Sequence, residues 1–351
     1  MLKFEDYPYA RPELKPEQER FQILLKKFTD SQSAVEATEA IKEINVFRSR
    51  LDTLFNLVYI RASIDTKDEY YQQERDYFDD IEPEIKAMNT EFYKELVKSP
   101  YREELERQFN SQLFQIADFE IKSFSPEIIS LLQKENKLSS EYSKLVASAE
   151  VEFQGKTYTL AQLAPFAQSE DRETRKQAVT ASAGFFEDSG DTFDSIYDQL
   201  VKTRHEIALK LGYKNFVEVG YLRMLRIDYN AEMVDVFRKQ VRDYVVPLAT
   251  KLYEKQAQRI GVDSFKFYDE NFKFKSGNAK PKGSPDWIID NGKKCMKSYQ
   301  MKPMHFSILC LNGIYWILKR KKEKKLVVTA HLSVTMKHHL FLRTLMAPLV
   351  M

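Results

Sequence analysis

Cysteine is absent from the first 294 residues, and glycine does not occur before Gly155. The first absence excludes a disulfide framework over that stretch and fits a reducing compartment, so the expected location is cytoplasmic. The second removes the residue that best tolerates positive φ, which favours long helices over hairpins in the opening half. Histidine is nearly missing as well, His205 standing alone before residue 295. No apolar run approaches the roughly 20 residues of a membrane span. Residues 1–16 carry Asp, Glu, Tyr and three prolines instead of the apolar segment of a secretion signal. A Gly-x-Ser-x-Gly elbow, a phosphate-cradling glycine loop and an internal repeat are also lacking, which removes the usual serine hydrolase, nucleotide-binding and solenoid readings.

What is present is ordinary for a globular protein: 351 residues, 43% hydrophobic and 30% charged. The net charge of +2 hides an asymmetry. Residues 295–351 hold ten Lys or Arg against the single acid Glu323, whereas the first 294 hold 44 basic and 51 acidic groups. An acidic body argues against a nucleic-acid partner, because phosphate neutralisation needs clustered cations.

Helical signals dominate the body. Ser33 and Glu36 have capping-box spacing, and Ile44, Phe47, Leu51, Leu54 and Val58 then recur at intervals of three and four. A helical stretch around Tyr70–Phe78 is expected to break at Pro83, with another from Glu84 to Val97 that Ser99–Pro100 ends. Ser125–Pro126–Glu127 starts a helix running through Leu131, Leu132, Leu138 and Leu145. Val151 to Leu160 alternates about Gly155 and predicts a small β-hairpin. Helices follow over Asp171–Phe186, over Asp191–Leu211 with Gly212 closing it, and over Val234–Ile260, interrupted by Pro247 and closed by Gly261. Phe265–Phe274 alternates aromatic and charged residues and predicts a strand. The fold class is therefore mainly α. The organisation is an N-terminal helical region over 1–150, a hairpin with helices over 151–294, and a basic tail over 295–351.

Few residues offer chemistry. His205–Glu206 begins like the helical zinc motif, but that motif needs a second His at i+4, where Leu209 stands. A lone His is read as a surface or capping residue, so the body has no zinc donor set and no catalytic, cofactor or metal residue is assigned. The acidic pair Asp79–Asp80 reads as a solvated face.

Leu200–Tyr229 is distinctive: L-V-K-T-R-H-E-I-A-L-K-L-G-Y-K-N-F-V-E-V-G-Y-L-R-M-L-R-I-D-Y. It resembles the oligoendopeptidase F branch of the thimet-oligopeptidase-like zinc metallopeptidases, as do Asp171–Phe186, the segment around Gly155, and Phe265 through Trp287. The similarity covers about residues 1–294. It implies the N-terminal part of a helical clamshell closing over short peptides. It also implies a catalytic zinc held by His-Glu-x-x-His and a later Glu, with a Tyr and a His further on at the oxyanion. None of those residues has a counterpart in this sequence.

The composition break at Asn291–Cys295 has a codon-level reading. If one adenine was lost from the codons of Lys293 and Lys294, each family codon is the third base of one residue plus two bases of the next. Met301–Lys302 then encodes Glu, Met304–His305 encodes Ala, Tyr315–Trp316–Ile317 encodes Leu–Asp, and Met346–Ala347 encodes Gly. With the free third bases filled, the hidden frame contains K-K-G-K, A-G-G-Y-C-T and F-N-G-T-S-G-D, similar to the family's approach to its zinc helix. The tail is then off frame and expected to be disordered. At face value it holds an apolar run, Phe306–Leu318, with a polybasic flank that suits a membrane surface. It also holds Cys310, His331, His338 and His339, whose spacing matches no zinc pattern.

The expectation is a zinc oligopeptidase fragment, inactive as written, with short peptides as ligands. The alternatives are a non-catalytic peptide-binding protein and a membrane-associated protein using the basic tail. Loss of the catalytic half predicts an open apolar surface and self-association.

Overall fold

The structure, a computed structural model, describes residues 4–280 and 282–298. Helix α1 spans Leu14–Thr29, α2 Ala34–Ile64, α3 Glu69–Lys98, α4 Arg102–Phe109, α5 Ser111–Lys122 and α6 Ile129–Ala147. At the start of α2, the Ser33 hydroxyl accepts from the Glu36 backbone N–H at 3.2 Å, while the Glu36 carboxylate accepts from the Gln32 N–H at 2.8 Å. Two otherwise unpaired donors are satisfied, which fixes where the helix begins. Ile44, Phe47, Leu51 and Val58 are all buried on one face, as their spacing predicted. Most of that face enters a core made by Phe21, Leu25 and Phe28 of α1, Met88, Phe92 and Leu96 of α3, and Phe114 of α5.

Pro83 does not divide α3. The helix continues from Glu69 to Lys98 with the proline inside it, correcting the expected break. A proline at this position cannot donate to the carbonyl of Asp79, four residues earlier, and its ring pushes that turn outward. Helix α6 supplies the missing donors. Asn136 Nδ2 donates to the Asp79 carbonyl at 3.2 Å, and Gln133 Nε2 donates to the Asp80 carbonyl at 2.8 Å. The proline thereby becomes a docking point between two helices.

Strands β1 (Val151–Phe153) and β2 (Lys156–Tyr158) form an antiparallel hairpin pairing Val151 with Tyr158 and Phe153 with Lys156. Gln154 and Gly155 both adopt positive φ, +50° and +74°, the geometry of a tight turn suited to strand twist. Val151 and Phe153 point inward, onto Leu163 of α7 (Leu160–Leu163) and Ala178 of α8 (Arg172–Asp188).

Helix α9 (Gly190–Lys210) ends at Gly212, whose φ of +83° lets the backbone turn away. Helix α10 (Phe216–Arg223) is capped by the Asn215 side chain, which accepts from the Val217 N–H at 2.9 Å. Ile207, Ala208 and Val219 from α9 and α10 pack on Phe124, Ile128, Leu131 and Leu132 at the start of α6. Helices α11 (Ala231–Gln240) and α12 (Val246–Ile260) form one rod, joined by a π-helical turn at Val241–Val245. That turn sits just before Pro247 and absorbs the backbone donor the proline lacks. Gly261, at φ +75°, closes the rod.

Phe265–Phe274 is not a strand. It is an irregular segment with a 3₁₀ turn at Phe267–Asp269. Its carbonyls at Asp269, Glu270 and Phe272 are taken by the single amide of Gln256 on α12, at 3.1, 3.1 and 2.8 Å. A side chain thus occupies the acceptors that a neighbouring strand would need, and alternation alone does not reveal this. Helix α13 (Pro285–Ser298) runs through Cys295, so the composition break lies inside an element. Among the described residues no helix is long and apolar enough to cross a membrane.

Candidate functional site

The distinctive stretch over residues 200–229 is mostly structural in its chemistry. Glu135 of α6 is buried and accepts from Arg204 of α9 at 2.7 Å and Arg223 of α10 at 2.8 Å. Burial pushes this carboxyl up, but the two guanidinium groups outweigh it and hold the pKa below the usual range. The Phe216 ring lies beneath both guanidinium groups, at 5.9 Å from Arg204 and 5.5 Å from Arg223. Tyr213 follows Gly212 and donates its hydroxyl to the Lys122 carbonyl at 3.2 Å. These contacts weld α6, α9 and α10 together.

A second cluster ties α8 to the segment before α13. Asp269 is fully buried and accepts from Arg172 at 2.8 and 3.1 Å, from Arg175 at 2.9 Å and from the Lys266 backbone N–H at 3.0 Å. Burial again opposes the charge, and the paired donors win, lowering the pKa. Arg175 is itself buried, stacks 4.3 Å over Phe272, and leaves its Nε without an acceptor among the described residues. A third cluster holds the chain start. Tyr9 and Arg11 both donate to the buried Glu74 of α3, and the Tyr77 hydroxyl donates to the Pro12 carbonyl at 2.7 Å.

Asp79 departs from the solvated-face reading. It is buried at 8% exposure, accepts from Ser140 Oγ of α6 at 2.5 Å, and burial pushes its pKa up to about 6. Only Asp80 is partly solvated, pairing with Lys137 at 2.7 Å. Periodicity placed Asp79 on α3 without showing that α6 would cover it.

His205 is exposed on α9 and Glu206 pairs with Lys210 at 3.8 Å. Leu209, one turn on, is also exposed. A zinc ion needs three or four converging donors, and no three His, Cys, Asp or Glu groups come together among the described residues. The described residues do not fit a catalytic zinc. Cys310, His331, His338, His339 and Phe306–Leu318 lie outside the described residues.

The sequence reading expected an open apolar surface without saying which element carries one. The α11–α12 rod turns Met233, Val236, Phe237, Tyr244, Val245, Leu248 and Leu252 to solvent, each more than half exposed. Its C-terminal end is tied down by Gln256, by Arg259 donating to the Lys273 carbonyl at 2.7 Å, and by the buried Ile260. The arrangement can hold and present surfaces.

Residues 4–124 match the Peptidase M3 N-terminal domain and residues 166–282 match Peptidase family M3. No curated protein matches the chain. Among solved structures, one named as an oligoendopeptidase F from Bacillus anthracis str. Ames is 44% identical with a TM-score of 0.86, covering 90% of this chain and 58% of its own. A PZ peptidase A solved with an inhibitor is 46% identical with a TM-score of 0.85, covering 92% of this chain and 57% of its own. A further protein named as an oligoendopeptidase F is 43% identical with a TM-score of 0.86, covering 93% and 57%. The chain thus spans under three fifths of the length of these relatives.

Proposed function

The chain belongs to peptidase family M3, and from that premise we propose that it is the N-terminal, peptide-covering part of a zinc-dependent oligopeptidase that does not hydrolyse peptides as written. The observation that carries this is one contrast. The scaffold agrees with two structures named as oligoendopeptidase F and one PZ peptidase A at 43–46% identity over nine tenths of the chain. Yet His-Glu-x-x-His occurs nowhere in the sequence, and His205–Glu206 is followed at the decisive position by Leu209. Activating water at a zinc needs such paired imidazoles, and among the described residues no three metal-ligating groups converge in their place.

Short peptides are the ligand class, and the cytoplasm is the compartment that the cysteine-free first 294 residues favour. The loss of one adenine at Lys293–Lys294 accounts for the change of composition from Cys295 onward, and resequencing the DNA there tests it. The enzymatic reading is tested by incubating the purified chain with internally quenched short peptides and excess zinc. No cleavage is expected, while calorimetry with the same peptides reads any residual binding. Chelator-sensitive turnover would overturn the proposal.

A further inference from the structure

The α11–α12 rod is an amphipathic helix whose apolar side stands open to solvent among the described residues. Its 30 residues, Ala231–Ile260, correspond to a length of about 45 Å. At about 100° per residue, Leu252 would sit roughly 100° around the axis from Met233. The π turn at Val241–Val245 removes about one residue from that count. Val245, Leu248 and Leu252 therefore return to the line set by Met233, Val236 and Phe237, and the stripe runs straight along the rod. These six side chains are 53–63% exposed.

We propose that this stripe is the interface for a second copy of the chain, the two rods lying antiparallel about a two-fold axis beside the π turn. The stripe is nearly symmetric about that turn, so Met233 meets Leu252 of the second copy and Phe237 meets its Leu248. Such self-complementarity is what an isologous contact requires. Charge selects the direction. By the same angular count, Glu232, Lys251 and Lys255 share one flank of the stripe, and an antiparallel pair brings that flank against itself. Glu232 at the start of one rod then faces Lys251 and Lys255 near the end of the other, and the helix dipoles oppose favourably. A parallel pair would set that flank against the opposite one, so that Glu232 would meet neither Lys251 nor Lys255 of the second copy.

The six half-exposed side chains offer roughly 100 Å² each, so the pair removes on the order of 1,200 Å² from water, the lower end of the range for specific interfaces. A concentration-dependent dimer follows, not a permanent one. The inference is independent of the peptidase reading, because the readout is mass and not turnover.

Sedimentation velocity of the full chain from about 1 to 100 µM tests it. A monomer–dimer equilibrium is expected, and Phe237→Glu with Leu248→Glu weakens dimerisation by about 30-fold or more while leaving the circular dichroism unchanged. Glu232→Lys alone weakens it by about fivefold, and adding Lys251→Glu with Lys255→Glu restores it. A monomer at every concentration overturns the proposal and leaves the face to another part of the chain or to a different partner. A dimer indifferent to the stripe substitutions overturns it too, as does polydisperse aggregation that the charge exchange fails to change.

Discussion

Helix α2 and the α11–α12 rod are nearly equal in length, at 31 and 30 residues, and both carry apolar side chains at helical spacing. In α2 those side chains vanish into a core: Ile41 and Ile44 are fully buried, and Phe47, Leu51 and Val58 nearly so. In the rod, Phe237 remains 63% exposed and Tyr244 75%. The difference lies in the neighbours. Helices α1, α3 and α5 close over α2, whereas among the described residues the rod is held where Gln256 and Arg259 reach the 269–273 segment. An amphipathic pattern states that a face wants covering, not that this chain covers it.

Truncation separates the two regions most sharply. Phe92→Ala, in the covered core, is expected to cost about 3–5 kcal/mol in chemical denaturation, while Phe237→Ala changes monomer stability by less than about 1 kcal/mol. Equal losses at the two sites would show that the rod's stripe is covered after all.

Removing the anchor of the rod's lower end comes next. Asp269→Ala leaves Arg175 buried without its carboxylate, and about 3 kcal/mol of stability is expected to disappear. Asp269→Asn keeps part of the hydrogen bonding and costs less. Hydrogen exchange in 256–275 should rise in both variants.

The α3–α6 contact gives a smaller effect. Asn136→Ala orphans the Asp79 carbonyl and is expected to cost about 1–2 kcal/mol. In a Pro83→Ala background, where residue 83 regains its N–H, the same change should cost measurably less. A double-mutant cycle showing no coupling would contradict the docking role given to Pro83.

The smallest effect is the pH dependence of Asp79. Its folded pKa of about 6 lies above the unfolded value near 4, so the folded chain binds the proton more tightly. The Asp79 contribution therefore makes the fold more stable as the pH falls through about 6, levelling off below about 4. Ser140 donates directly to Asp79, while Arg75 and Lys144 favour its charged form and Asp76 opposes it; burial dominates all of them. Asp79→Asn should raise stability at pH 7 by about 1 kcal/mol and flatten the melting-temperature profile between pH 7 and 5. A stability loss at pH 7 would reverse the assignment.

Much of the helical order was legible because its signals are local. Ser33 and Glu36 mark a helix start within four residues, Gly155 marks the hairpin turn, and Gly212 and Gly261 mark helix ends. Pro83 misled because its missing donor is supplied from Gln133 and Asn136, some fifty residues away. Phe265–Phe274 misled because Gln256, not a strand, takes its carbonyls. The carboxylates of Glu74, Glu135 and Asp269 were invisible as clusters for the same reason: their guanidinium partners lie 63 to 97 positions away in sequence. The family resemblance was readable in Leu200–Tyr229, where Arg204, Tyr213 and Arg223 bind neighbouring helices together.

The proposed function holds that a lost adenine at Lys293–Lys294 separates the peptidase scaffold from its zinc-binding residues. The most direct measurement is a side-by-side cleavage assay of two proteins on one quenched short peptide with zinc: the chain as written, and the product of the same gene with one adenine restored in those codons. Chelator-sensitive cleavage by the restored product and none by the chain as written is the predicted result. Cleavage by the chain as written, or a restored frame that yields no peptidase, would contradict it.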